Sequence, residues 1–343
     1  MPTLLSPLLP SDRSAPAPDR SRWMLSWDRG HAEIFAVGAS LHNLTLVLDD
    51  GSPVTPFAEA RWAGDPQIAA DVRIPAHLRQ LGGEWACVPF GKTTVDPHHH
   101  GYATDNAWHL TSQKADEIAL AIDYPPDHPV QWLERRIAGV TGEAAVEITL
   151  TVEVRAGCLL PVGLHPIFRM PEHGKRLLLD AGDFSHGYTF PEIFEPGVSC
   201  LKPTASFAAL DRVPLANGSF ADVSRQPCGL SEEIIQIEGN AGSLGLVYPD
   251  DGHRVRFDWD KAALPSMLIW ISDRGRSAPP WSNSFRGVGI EPVNAFFDDT
   301  RLASHAPEMV ARGRHFSTGE RWTTRYRISA SRLDALPNEG TST

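Results

Sequence analysis

Two short stretches hold the side chains best suited to moving protons. In Val162–Pro171 (VGLHPIFRMP), His165 sits between Leu164 and Pro166. An imidazole among apolar neighbours has a tunable proton affinity, and near its ordinary pKa of about 6.5 it both gives and takes a proton at neutral pH. In Gly287–Asp298 (GVGIEPVNAFFD), Glu291 follows an apolar strand and directly precedes Pro292, which is expected to turn the chain at the rim of a sheet. A carboxylate at the inward end of a strand is costly to desolvate unless it has partners or a task. One imidazole and one carboxylate suffice for general acid–base chemistry. Each also has a plainer reading, as a hydrogen-bonded structural histidine and as a solvated strand-end glutamate.

Two further stretches combine tight turns with reactive groups: Leu81–Thr93 (LGGEWACVPFGKT) and His98–Trp108 (HHHGYATDNAW). Three consecutive histidines suggest a metal. Adjacent strand residues point to opposite faces, however, so three in a row cannot hold one ion without a sharp bend, and no metal is expected. His100 with Gly101 is the more informative pair, since glycine lets backbone approach a ligand closely. Trp85, Trp108, Trp270 and Phe90 offer flat apolar faces of the kind sugars stack on, although most of the ten tryptophans should be core. Neither GxGxxG nor GxxxxGK[ST] occurs, and GxSxG is absent.

The elements that position these groups read as strands. Twenty-nine prolines and 28 glycines punctuate 343 residues, which suits many short strands and disfavours long helices. Alternation marks Ala32–Val37 and Leu44–Leu48 as a hairpin, then Glu117–Asp123, Trp132–Ile137 and Ala145–Val154. In the last, Val146, Ile148, Leu150, Val152 and Val154 share one face. Later strands are expected at Ile234–Ile237, Leu244–Tyr248, Val255–Trp259, Met267–Ile271 and Trp322–Ile328. Only Ala69–Gln80 has helical character, broken at Pro75. There is no βαβ rhythm, so a mainly β sandwich or barrel is expected, as one domain over 22–332 between flexible tails at 1–21 and 333–343.

Composition narrows the function classes. A formal net charge of -11 gives no basic face for nucleic acid. No stretch approaches the ~20 apolar residues of a membrane span, and the start lacks a signal-peptide core. Cys87, Cys158, Cys200 and Cys228 show no CxxC pair, which fits reduced thiols and a cytoplasmic protein.

In this order, His100–Gly101, His165–Pro166–Ile167–Phe168, Ile290–Glu291–Pro292 and the closing Gly319–Glu320 to Tyr326–Arg327–Ile328 resemble the aldose 1-epimerase (galactose mutarotase-like) family, over most of residues 30–330. HGYATDNAW is also similar to the hexose-6-phosphate branch. The resemblance implies a β-supersandwich with an open cleft and cofactor-free, metal-free interconversion of α and β anomers. It makes Glu291 the base at the anomeric hydroxyl and His165 the acid at the ring oxygen, on opposite sides of the hemiacetal. His100 would hold a sugar oxygen. Three positions depart from the family. PFGKT replaces an Asn-Arg pair, leaving Lys92 in its place. LSEEIIQI offers Glu232 or Glu233 for an Asp that grips hydroxyls, and HPIF replaces HPYF. With Trp108 and Trp270 these complete the expected substrate-binding set. A sugar is the expected partner, of a monomer or homodimer without nucleic acid or membrane. An anionic sugar read by Lys92, Arg169 or Arg286 is a second possibility, and a non-catalytic sugar-binding protein a third.

Overall fold

The computed structural model describes residues 21–333 except residue 173. The tails expected at 1–21 and 333–343 therefore lie outside the described residues but for Ser21 and Leu333. Among the described residues the largest sheet has nine antiparallel strands, with His253–Trp259, Arg321–Arg332, Ala145–Val154, Val130–Gly139 and Glu117–Asp123 adjacent in that order. Alternation works as expected in Ala145–Val154: Val146 to Val154 at even positions are buried while Glu147 is exposed. Gly30–Phe35 and Leu41–Val47 form the hairpin, inside a four-stranded sheet with Arg22–Trp27 and Pro53–Val54.

A second sheet of eight strands carries His165 and Glu291. Its neighbours run His186–Thr189, Glu232–Glu238, Ser266–Asp273, Arg286–Val293, Gly163–Leu164, Ala86–Cys87, with Ile167–Phe168 also paired to Arg286–Val293. This sheet is covered on both faces, so strands such as Glu232–Glu238 are buried at every position. Its inner face, with Ile235, Ile237, Ile269, Ile271, Val288 and Ile290, packs into one core with Val146, Ile148 and Leu150 of the nine-stranded sheet. Its outer face, with Ile234, Leu268 and Trp270, joins a second apolar cluster with Trp85, Phe90, Trp281 and Phe285. Strand periodicity thus assigns odd and even residues to different jobs.

An ion pair buried in the main core ties the sheets. Arg135 of Val130–Gly139 binds Glu84 and donates to the Tyr326 hydroxyl (2.8 Å) and the Ala39 carbonyl (2.7 Å); Tyr326 in turn donates to Glu84 (2.8 Å). Arg135 and Glu84 are fully buried, and breaking such a pair costs about 3–5 kcal/mol, because the remaining charge is stranded. Glu84 directly precedes Trp85, so this core anchor also fixes one wall of the site.

Two expectations are corrected here. Ala69–Gln80 is two short helices, Pro66–Ala70, capped by Asp65, and Ala76–Arg79, which starts after Pro75; a third, Tyr102–Asp105, carried no helical signal. Pro292 does not turn the chain, since it pairs with Met267 inside Arg286–Val293. All four cysteines are free. Among the described residues no helix is long and apolar enough to cross a membrane.

Candidate active site

Strand register builds the site. Gly163 lies opposite Val293 and Ile167 opposite Gly289, which places His165 opposite Glu291. On its other side Gly163 faces Cys87 and Leu164 faces Ala86, which places Trp85 opposite His165. Trp85, His165 and Glu291 therefore form one row across three neighbouring strands, on the outer face of the eight-stranded sheet. Directly opposite side chains on one face are close enough to interact. The His165 ring stacks on Trp85 at 4.3 Å between centroids and 15°, and His165 Nε2 lies 3.5 Å from Glu291 Oε1.

The pair lines a cleft with about 540 Å3 of empty space including its open mouth. Trp270 and Trp281 form an aromatic wall, and His77, His99, His100, Arg276 and Asp298 complete the polar lining. His165 and Glu291 are side by side on one wall, where opposite sides of the ligand were expected. The reason is that both belong to one sheet face.

Burial dominates the electrostatics. It pushes the Glu291 carboxyl well above the usual carboxylate range, and the nearby Asp298 pushes it further. Burial also lowers His165 to about 3, helped by the neighbouring His77. The sequence-based expectation of an imidazole near its ordinary value is therefore corrected: the apolar stack on Trp85 disfavours its charged form. Asp298 moves the other way. Burial raises it, but the contact with His99 (3.7 Å) outweighs that and holds it below the ordinary range. Two carboxylates on one cleft are thus driven apart in proton affinity, Glu291 upward and Asp298 downward.

The three consecutive histidines lie in a turn, not a strand; only His98 turns away, while His99 and His100 both line the cleft with ring centroids 4.0 Å apart. His98 bonds Asp96 (2.8 Å), His99 faces Asp298, and His100 enters the cleft, its Nδ1 accepting from the Gly91 amide at 3.2 Å. The bend comes from left-handed backbone at His100 (φ 67°) and Gly101 (φ 89°). A Cβ at Gly101 would collide with the Val88 carbonyl. The glycine thus admits the chain's own backbone, where a close approach to ligand was expected.

The remaining expected contacts divide. Trp270 lines the cleft. Trp108 does not: it is fully buried in the main core, donating to the Ala103 carbonyl at 2.9 Å. Lys92 is exposed and contributes backbone, its amide donating to the Asp298 carbonyl (2.7 Å) and its carbonyl accepting from Thr300 (2.9 Å). The alternation of Glu232–Glu238 separates the two glutamates. Glu233 points to the opposite face and accepts from the Cys200 and Leu201 amides. Glu232 shares the face of Trp270 and supports it from behind, accepting from its indole (3.3 Å) and from Ser272 (2.5 Å).

Arg276 was not foreseen. It lines the cleft, packs over Trp281 (4.6 Å) and lies between Glu232 (3.3 Å) and Glu195 (3.6 Å). Its setting in a Gly-Pro-Ser-rich loop gives no local signal. The other cations considered are spent elsewhere, Arg169 on Asp251 and Arg286 on Asp273.

No protein-family model matches the chain, and no curated protein matches it in sequence. Solved structures do. A candidate aldose 1-epimerase from Escherichia coli K12 superposes with a TM-score of 0.61 at 15% identity, covering 91% of this chain and 99% of that one. A galactose mutarotase-like protein from Lactobacillus casei gives 0.58 at 15%, covering 90% and 100%. A GalM/aldose epimerase homologue from C. elegans gives 0.59 at 12%, covering 92% and 99%. The chain has the mainly β fold of the galactose mutarotase-like proteins.

Proposed function

We propose that the protein is a mutarotase, an aldose 1-epimerase-type isomerase that interconverts the α and β anomers of a neutral hexose or hexose derivative by general acid–base ring opening. The observation that carries this reading is the His165–Glu291 pair, 3.5 Å apart on one wall of an aromatic-lined cleft. The hydroxyl oxygen and the ring oxygen of a hemiacetal share one carbon. Two groups that serve them must therefore lie side by side, not far apart. The pair takes the hydroxyl proton, delivers one to the ring oxygen, and the ring opens. Rotation about C1–C2 and reclosure with exchanged roles gives the other anomer. Trp270 and Trp281 supply faces for the sugar's C–H surface.

One proton shared between the two groups meets this need in either direction. Burial favours it on Glu291 over His165, so the favoured starting state has Glu291 as donor and His165 as acceptor, the reverse of the assignment implied by the family resemblance. The Arg276 charge is matched by Glu232 and Glu195, which favours a neutral ligand over an anionic one. The test is NMR exchange between anomers over a panel of neutral and anionic hexoses. Catalysed exchange is expected for at least one neutral aldose. Acceleration of none of the panel would leave a sugar-binding protein at best.

Gly289 provides a second test. Its Cβ would stand 2.5 Å from Glu291 Oε1 and 3.1 Å from the Trp270 ring. Gly289→Ala should displace the carboxyl and slow exchange by about tenfold, since small misplacements of a reacting group are costly. Its thermal midpoint should fall modestly, since overpacking a buried site costs about 1–3 kcal/mol, so the rate is read on protein shown to be folded. Wild-type rates in Gly289→Ala would show that the position of the Glu291 carboxyl is immaterial.

A further inference from the structure

We propose that His77, held by Asp105, contacts the sugar directly and accepts a hydrogen bond from one of its hydroxyls, so that it helps decide which aldose the cleft takes. The inference rests on the reading of the cleft as a sugar site.

The geometry is that of an oriented imidazole. His77 lies in the short helix Ala76–Arg79, is 6% exposed and lines the same cleft as His165. One oxygen of Asp105 accepts twice, from the His77 amide (3.0 Å) and from His77 Nδ1 (2.8 Å). These two bonds fix the ring and put the proton on Nδ1, which leaves Nε2 with a free lone pair. Nε2 has no hydrogen bond from the described residues. The ring lies 6.1 Å from those of His100 and Trp85. An acceptor left open on the polar wall of the cleft is matched by a donor from the ligand, and an aldose presents several hydroxyl donors at that scale. Asp105 is a positioning residue, acting only through His77.

The test separates recognition from structure. Asparagine at 77 can still donate to Asp105 from the position of Nδ1, but it has nothing in the place of Nε2. His77→Asn is therefore expected to fold with an unchanged thermal midpoint, to raise KM for the best aldose about tenfold, and to leave kcat nearly unchanged. Single-deoxy versions of that aldose complete a cycle. One deoxy position should cost the wild type about tenfold and cost His77→Asn nothing further. Unchanged KM, or deoxy losses of the same size in both proteins, would overturn the contact. Should His77→Asn not fold, His77→Gln reads the same contact: its side-chain oxygen can reach the place of Nε2, so the wild-type deoxy preference should persist, and its loss overturns the proposal. If the wild type speeds no anomer exchange, the mutarotase reading fails. The same cycle run on dissociation constants, from the fluorescence of the cleft tryptophans, still decides on His77.

Discussion

Glu291→Gln is expected to slow enzyme-catalysed anomer exchange by about 10²–10⁴-fold, the range for loss of one general acid–base group. The amide keeps the shape of the carboxyl, so the cleft, the stack of Trp85 on His165 and the room beside Gly289 remain. It cannot lose or deliver a proton on the timescale of ring opening. Stability should hold or rise. The native carboxyl is pushed towards its neutral form by burial, and replacing it removes a group that resists ionisation there. Exchange spectroscopy with the best aldose gives the rate, and a thermal melt gives the fold. Unchanged exchange in a folded Glu291→Gln protein would end the assignment of chemistry to this pair.

The contrast between what the residues revealed and what they concealed has a physical cause. Alternation is local, and so Glu117–Asp123 and Ala145–Val154 were legible to the residue. Buried strands that alternate weakly, such as Glu232–Glu238, were found too short, because both faces are apolar or pack on protein. His165 and Glu291 were legible as reactive groups in unusual settings. Their relation was not. Register between Gly163–Leu164, Ile167–Phe168 and Arg286–Val293 is a long-range property that no local pattern encodes, so one wall was mistaken for two. Trp108 and Trp270 look alike as sequence; only packing sends the first to the core and the second to the cleft. The choice between Glu232 and Glu233 turns on which face of a strand each occupies. His77 and Arg276 sit in a four-residue helix and a loop, where no periodicity points at anything.

The same register explains why the site has unusual proton affinities. A cross-strand pair in the middle of a sheet covered on both faces is cut off from water in a way that a loop-borne pair is not, and the sheet supplies no charge to compensate. Desolvation then acts on both members in opposite directions, raising the carboxyl and lowering the imidazole. Both shifts favour the uncharged forms, a neutral acid beside a neutral base. An ion pair at this spot would be costly, whereas a neutral acid beside a neutral base is stable and still able to exchange protons with a ligand. Asp298, nearer the mouth and facing His99, stays ionised and reinforces the arrangement through its effect on Glu291.

This yields a pH profile that differs from that of a solvent-exposed histidine. The active form carries a single proton on the pair, whose two titrations belong to the pair as a unit. A second proton arrives only as pH falls towards about 3, where His165 becomes charged. The single proton is lost when pH rises through the elevated Glu291 value. The exchange rate constant kcat/KM should therefore show no acid limb near the ordinary imidazole value of about 6.5. It should fall by about tenfold per pH unit on the alkaline side, beyond the Glu291 titration. Rates measured by exchange spectroscopy, with the uncatalysed rate subtracted at each pH, give the profile. An acid limb centred near the ordinary imidazole value would mean that His165 is solvated and charged when the sugar binds. The proton would then start on the imidazole, and burial would not be what sets the chemistry of this cleft.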